Sequence, residues 1–522
     1  MLSNRRTFIG SLGAGAACST FTLPCLAQTG DFALPRSTPE SAGVSSAGIL
    51  DFINAIEGSD HELHSLMILR HGQVITEGWW RPYRPEFNHG MYSMSKSFTS
   101  TAVGLAVAEK RLTVDDKVIS FFPDDLPVKV SDHLKMMTVE HLLTMTDGQN
   151  RGSTSKAIAS ADWAKNFLAQ PLPNKPGTVF SYNSAATYML AAIIQKLTGQ
   201  TVLDYLTPRL LKPLGIDGMY WETCPKGINT GGWGLHVKTA GLAHLGQLYL
   251  QKGMWNGNRI LPADWVEAAT SKQIQQPKNP KSNPDWVQGY GYQFWRCRHG
   301  LYRGDGAFGQ FTIVLPEQDA VIAMTGESPR MQDELDLVYQ HLLPALGNQR
   351  AAGNSKLAAS LRKKLKNLAV ELPAGKASSP LIKRINGKQF EFPENKLGVE
   401  SILFRFKNDS CRITINSNSG KQSVTCGHGD WQFGSAAIPD APPRIIAGGA
   451  PKHGTPAPIA ATGAWPDHNT YVMHWRYYET PHHDTVTCRF DDQKITVSFL
   501  RSIVKIRSGK RDPRPVIEGH AV

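Results

Sequence analysis

The sequence predicts an α/β chain in which helices are inserted between the two halves of one antiparallel sheet, followed by a small all-β C-terminal domain. Three observations carry this expectation. Strand-like runs come first, helical runs fill the middle, and strands return near residue 291, the order of a mixed sheet-and-helix domain. Composition then shifts across residues 349–376, where Ala, Lys, Arg and Asn alternate with leucine as in a solvated connecting helix. Beyond that point short alternating runs separated by turn residues follow one another, the pattern of a sandwich or barrel. The chain therefore divides into segments 1–27, 28–348, 349–378 and 379–522, and its 522 residues are ample for large buried cores.

The first segment carries Asn4-Arg5-Arg6-Thr7-Phe8-Ile9-Gly10, a weakly apolar stretch, and Leu26-Ala27-Gln28. A paired arginine before a mild apolar region, with a small residue at Ala27, resembles a twin-arginine export signal cleaved before Gln28. The expected location is periplasmic or secreted. No later stretch reaches the ~18 uncharged apolar residues of a membrane helix, so no integral membrane segment is expected after signal removal. The net charge of +12 reads as a basic solvated surface, and no nucleic-acid partner is expected. Five cysteines remain in the mature chain, Cys224, Cys297, Cys411, Cys426 and Cys488. They read as core thiols, with one bridge allowed in the C-terminal part, since the number is odd and there is no C-x-x-C pair.

The elements follow in order. Residues 65–77 form two β-rich runs around His71-Gly72-Gln73, a hairpin. Residues 96–108 are small and apolar all round, as a helix buried inside a domain must be. Helices are expected at 138–145, 185–197 and 239–251, the second stopped by Gly199. Strands are expected at 291–297 and 311–314, then at 389–392, 401–406, 410–415, 470–477, 485–490 and 495–500. Residues 439–458, crowded with Pro, Gly and Ala, read as a long loop.

Ser93-Met94-Ser95-Lys96 carries the chemistry. A serine at the opening of a helix shares a face with a lysine three residues on, and the helix N-terminus favours developing negative charge. The spacing recurs at Ser153 and Lys156, Ser360 and Lys363, and Ser502 and Lys505, which read as solvated residues because only Ser93 opens a buried helix after a hairpin. Further on stand Phe180-Ser181-Tyr182-Asn183-Ser184 and Gly304-Asp305-Gly306-Ala307-Phe308-Gly309-Gln310. Together with Tyr92-Ser93-Met94-Ser95-Lys96-Ser97 and the helix opening at Thr138, these motifs resemble the serine hydrolases related to class C β-lactamases and penicillin-binding proteins, which include esterases, D-amino-acid peptidases and oligoamide hydrolases. The resemblance spans about residues 35–345. It implies an antiparallel sheet flanked by helices, with the active site between the sheet and an all-helical lobe.

Carried over motif by motif, the resemblance makes Ser93 the nucleophile, Lys96 its base partner and Tyr182 the relay to the leaving group. Which of Lys96 and Tyr182 takes the serine proton stays open. The backbone N–H groups of Ser93 and Ala307 would form the oxyanion hole, with Ser184, Gly304, Asp305 and Gly306 in support. No cofactor or metal is expected. Penicillin-recognising relatives carry Lys-Thr-Gly where this chain has Gly304-Asp305-Gly306, so the anchor for a substrate carboxylate is missing and Asp305 adds repulsion if it reaches the cleft. Small ester or uncharged amide substrates, cleaved by a carboxylesterase-type activity, fit this departure better than β-lactams. Lys238-Thr239-Ala240-Gly241 reads as a coincidence before a helix. His61-Glu62-Leu63-His64 lacks zinc-helix spacing, and His482-His483-Asp484 reads as a polar loop between strands. β-Lactamase and D-amino-acid peptidase activities remain as alternatives. So does a catalytically silent cell-wall or glycan binder whose β module displays Trp431, Trp465, Trp475, Tyr477 and Tyr478, although their alternation favours a core.

Overall fold

Strand β1 (Glu62–Arg70) shows how the sheet is covered. Successive side chains point to opposite faces. Met67 and Leu69 accordingly enter one hydrophobic cluster, while Leu66 and Ile68 enter another. A sheet buried on both faces needs helices on both, and α1 (Ser46–Glu57) and α2 (Ser95–Ala108) contribute to the two clusters. The computed structural model describes residues 34–277, 281–347, 354–438, 441–442, 446, 455–509 and 511–522. The export-signal expectation lies outside the described residues, as does most of the 439–458 stretch, whose end begins the strand Ala457–Ala464.

The predicted hairpin forms: β1 pairs antiparallel with β2 (Gln73–Trp79). On its other side β1 pairs with Ala320–Glu327, in register Leu66 to Met324. Gln310–Leu315, Tyr302–Gly306 and Trp295–Arg296 complete six strands, so the two halves of the sheet come from the two ends of the domain. α2 runs through the interior, with Gly104 pressed so closely on the Trp265 indole that a Cβ there would overlap it. Helices at Val139–Leu143, Ser184–Thr198 and Thr239–Leu250 match expectation within a few residues.

The expected strand at 291–297 shrinks to Trp295–Arg296. Gln293 takes φ 65°, which breaks the extended run. Its side-chain amide instead donates to the carbonyls of Leu142 and Leu143 and accepts from Thr187 Oγ1, tying three segments together.

Among the described residues the C-terminal part forms a ten-stranded sheet that closes on itself as a barrel, since Gly420–Gly427 pairs both with Ser410–Ser417 and, through Gly427, with Thr462. All the predicted strands of this part are present, joined by others at Gln432–Ala436 and Ile517–Ala521 that escaped the sequence reading. Trp465, Trp475 and Tyr477 fill the barrel core. Trp431 is buried with Trp80 in the cluster under the sheet, and Tyr478 stacks on Phe87 at 4.2 Å. The Trp and Tyr side chains are thus occupied by packing. The helix Ser355–Lys366 lies against the sheet domain, with Leu361 buried and Lys364 paired to Glu57.

All five cysteines are buried and free. The allowed bridge does not form, although Cys411 and Cys426 sit opposite each other in neighbouring strands. Among the described residues no helix is long and apolar enough to cross a membrane.

Candidate active site

Ser93 occupies a single 3₁₀ turn, Tyr92–Met94, that leads directly into α2. Tyr92 has φ 46°, unusual for a bulky residue. The turn is held by Ser95, whose hydroxyl donates to the Tyr92 carbonyl at 2.6 Å and accepts the Leu235 N–H at 3.2 Å. One helical turn on, Lys96 is 1% exposed, and its Nζ donates to Ser93 Oγ at 2.9 Å, Ser184 Oγ at 2.9 Å and the Gly232 carbonyl at 2.7 Å. Gly232 permits this approach because a Cβ there would lie 2.6 Å from the Ser184 carbonyl. Burial pushes the Lys96 ammonium down to about 7, with the charge of Asp305 pulling the other way.

Tyr182 stands beside Ser93, with Lys96 Nζ 4.8 Å from the centre of its ring. Burial, reinforced by the negative charge of Asp305, holds the phenol well above its ordinary range, so it stays protonated near neutrality. Trp295 stacks on the ring at 5.6 Å. Asn183 fixes the loop: its side chain caps the following helix at Ala185 N–H and donates to Gln149 Oε1 at 3.0 Å. The structure thus brings Ser93, Lys96, Tyr182 and Ser184 together.

The third motif lies alongside. Strand Tyr302–Gly306 approaches the Ser93 turn so closely that a Cβ on Gly306 would overlap the Met91 carbonyl, which brings the strand end leading to Ala307 beside Ser93. Gly304 faces Met94 and Ser97, and a Cβ there would stand 2.5 Å from Met94 Sδ and 2.6 Å from Ser97 Oγ. The space of a lysine side chain is thus filled by Met94 of the 3₁₀ turn and Ser97 of α2. Asp305 is buried and bound to Arg303 at 2.9 Å, and burial lifts its carboxyl above the usual range while Arg303 draws it back. Its charge is therefore largely answered inside the protein.

Several neighbours escaped the sequence reading. Gly232 and Trp295 belong to no short motif, and their placement depends on the tertiary fold. Tyr92 and His482 carried a signal, one inside the first motif and the other in a run noticed for metal-binding chemistry. His482 is not in a solvated loop. It is fully buried, with Nε2 hydrogen bonded to Tyr92 Oη at 2.6 Å and Nδ1 to Glu327 Oε1 at 2.5 Å. Ser502, expected at the surface, is buried too and donates to Glu327 at 2.6 Å. Ser153 is likewise buried, opening the short helix Ser153–Ala157 with its hydroxyl on the Asn150 carbonyl. Lys238 pairs with Asp217 at 2.6 Å beyond the site.

Glu62, Glu327 and His483 bring possible metal-ligand atoms within 4.8 Å of one another. Their oxygens are already engaged: Arg476 grips Glu62 at 2.6 and 2.8 Å, His64 lies 3.0 Å from it, and His482, His483 and Ser502 surround Glu327. Arg476 supplies a counter-charge to Glu62, and the group reads as a hydrogen-bonded seam between barrel and sheet.

A model of the β-lactamase family matches residues 61–343. The chain belongs to that family. Its curated relatives include the 6-aminohexanoate-dimer hydrolase of Paenarthrobacter ureafaciens, 25% identical over 286 residues that cover 51% of this chain and 72% of that protein. Protein flp of Staphylococcus aureus is 29% identical over 164 residues, covering 29% of this chain and 33% of its own length. Among solved structures, the octameric penicillin-binding protein homologue from Pyrococcus abyssi is similar over 87% of this chain and 98% of that one, at 17% identity and TM-score 0.46. A penicillin-binding protein homologue from Caulobacter crescentus is similar over 59% and 98%, at 15% identity and TM-score 0.47.

Proposed function

We propose that the chain is an exported serine hydrolase that cleaves small esters or uncharged amides through an acyl-enzyme on Ser93, with carboxylesterase-type substrates preferred. The carrying observation is a completely buried lysine, pushed down to about 7, with its Nζ 2.9 Å from the serine hydroxyl. Near neutral pH a large fraction of Lys96 is an amine able to accept the serine proton, whereas Tyr182, held far above neutrality, suits donation to the leaving group. Ser93 Oγ would attack the carbonyl carbon as its proton moves to Lys96. The oxyanion would take hydrogen bonds from the N–H groups of Ser93 and Ala307. On collapse the leaving-group atom takes the Tyr182 proton, which Lys96 restores, and water repeats the sequence on the ester.

Substrate preference rests on Gly304. With the place of a carboxylate-binding lysine filled by Met94, an anionic substrate lacks its anchor there. Repulsion from Asp305 adds little, because Arg303 pairs with it. The Arg5-Arg6 leader supports export to the periplasm or beyond. The test is labelling of the intact protein with a fluorophosphonate, alone and as Ser93→Ala. The unmodified protein should label and hydrolyse p-nitrophenyl butyrate, and the variant should do neither while keeping its fold. Full labelling of Ser93→Ala would end the assignment.

A further inference from the structure

Two backbone N–H groups form the proposed oxyanion hole, and each adjoins a bulky residue in the left-handed region: Tyr92, before Ser93, has φ 46°, and Phe308, after Ala307, has φ 69°. Such conformations are disfavoured for aromatic residues and persist where surrounding structure fixes them. The two rings meet edge to face at 5.6 Å. Both also touch one imidazole, that of His482, at 5.8 Å from Tyr92 and 4.8 Å from Phe308.

We propose that His482, delivered by the C-terminal barrel, is a positioning residue for the oxyanion hole. It acts through Tyr92 and Phe308 and touches neither substrate nor Ser93. Its Nε2 holds the Tyr92 hydroxyl at 2.6 Å, and its ring closes on Phe308. The imidazole cannot swing away, because Nδ1 is bound to Glu327 at 2.5 Å, and Glu327 is clasped in turn by Ser502 at 2.6 Å and His483 at 3.1 Å. Glu327 ends a central strand of the sheet, and the next residue, Ser328, donates its N–H to the Phe308 carbonyl at 3.0 Å. The imidazole, the strand end and both flanks of the hole thus form one connected group. The same barrel turn reaches further: Thr480 and Pro481 line a small cleft together with Gly90, Met91 and Tyr92. Other contacts across the seam, such as Tyr478 on Phe87, touch neither Tyr92 nor Phe308, which separates positioning from adhesion.

The inference rests on the hydrolase reading above, and the experiment keeps the two apart. Steady-state kinetics with p-nitrophenyl butyrate and inhibition by phenylboronic acid, a tetrahedral mimic, are measured for the full chain as His482→Phe, Tyr92→Phe, their double variant, His482→Gln and the interface control Tyr478→Leu. Deleting an oxyanion donor outright lowers kcat by about 10²–10³, so misplacing one should lower it by about 10–100-fold. The expected result is that drop in both single variants with KM within about threefold, a parallel loss of boronate affinity, and a double variant hardly worse than either single one. His482→Gln should recover part of the rate, and Tyr478→Leu should stay near the unmodified enzyme. A kcat for His482→Phe within threefold of the unmodified enzyme, or no lower than that of Tyr478→Leu, would overturn the inference alone. An unmodified protein that neither labels with fluorophosphonate nor turns over ester would overturn the hydrolase reading, and this inference with it.

Discussion

Replacing Lys96 by methionine should abolish activity and yet stabilise the protein at neutral pH. Lys96 stands near 7 in the native state against 10.5 for a free lysine. Between those values the unfolded chain binds the proton more fully than the native one, so native stability rises with pH across that window. The penalty for holding the side chain deprotonated is about 4 kcal/mol at pH 7 and falls to about 1 kcal/mol at pH 9.5. Methionine escapes it but gives up the bonds to Ser93, Ser184 and Gly232, together worth about 3 kcal/mol. The variant should therefore be more stable than the unmodified protein by roughly 1 kcal/mol at pH 7, and less stable by about 2 kcal/mol at pH 9.5. The change of about 3 kcal/mol between the two pH values is independent of how the lost contacts are valued. Urea unfolding of both proteins at the two pH values, with refolding verified, measures it. The same group should appear in kinetics: kcat/KM should rise with pH through about 7, because the amine is the accepting form. A stability difference that does not change with pH, or an acid limb far from 7, would refute the claim that Lys96 is neutral by burial.

Tyr182→Phe should cost about 10²–10⁴ in kcat, the usual worth of a positioned proton donor, and an effect of only a few-fold in rapid-quench or steady-state assays would send the proton elsewhere. The ratio of kcat/KM for p-nitrophenyl butyrate over a chromogenic cephalosporin should be at least about ten, equal to ~1.4 kcal/mol in transition-state binding; a ratio of one or less would contradict the argument from Gly304. A chain truncated after Val370 should lose fluorophosphonate reactivity or solubility, because Trp431, Tyr478, Arg476 and His482 no longer cover the sheet domain. A soluble, fully reactive fragment would show that the barrel is dispensable to the site.

Much of the sheet was legible because a strand's alternation and a buried helix's uniform apolarity are local signals. β1 and α2 could be read from consecutive residues, and Ser93 stood out because a serine-lysine pair opened that helix. Gln293 could not be read so: its run is apolar enough for a strand, and only the distant carbonyls of Leu142 and Leu143 make a turn preferable. Asp305 was visible as a charge in the third motif, but its near-neutralisation by Arg303 depends on two side chains sharing one face of a strand. His482 is the clearest gap. A His-His-Asp run among polar residues looks solvated, and nothing adjacent in sequence tells that it will be buried against Tyr92.

The Tyr92–His482 contact joins residues 390 positions apart in the chain. At translation rates of about 5–20 residues per second, roughly 20–80 s pass between synthesis of the serine motif and arrival of its imidazole neighbour. Through that interval the growing polypeptide holds a reactive-serine sequence whose flanking turn has no outer wall. On the proposed hydrolase reading, competence would follow the order of synthesis, because the turn before Ser93 gains its outer wall only when the last-made quarter of the polypeptide arrives.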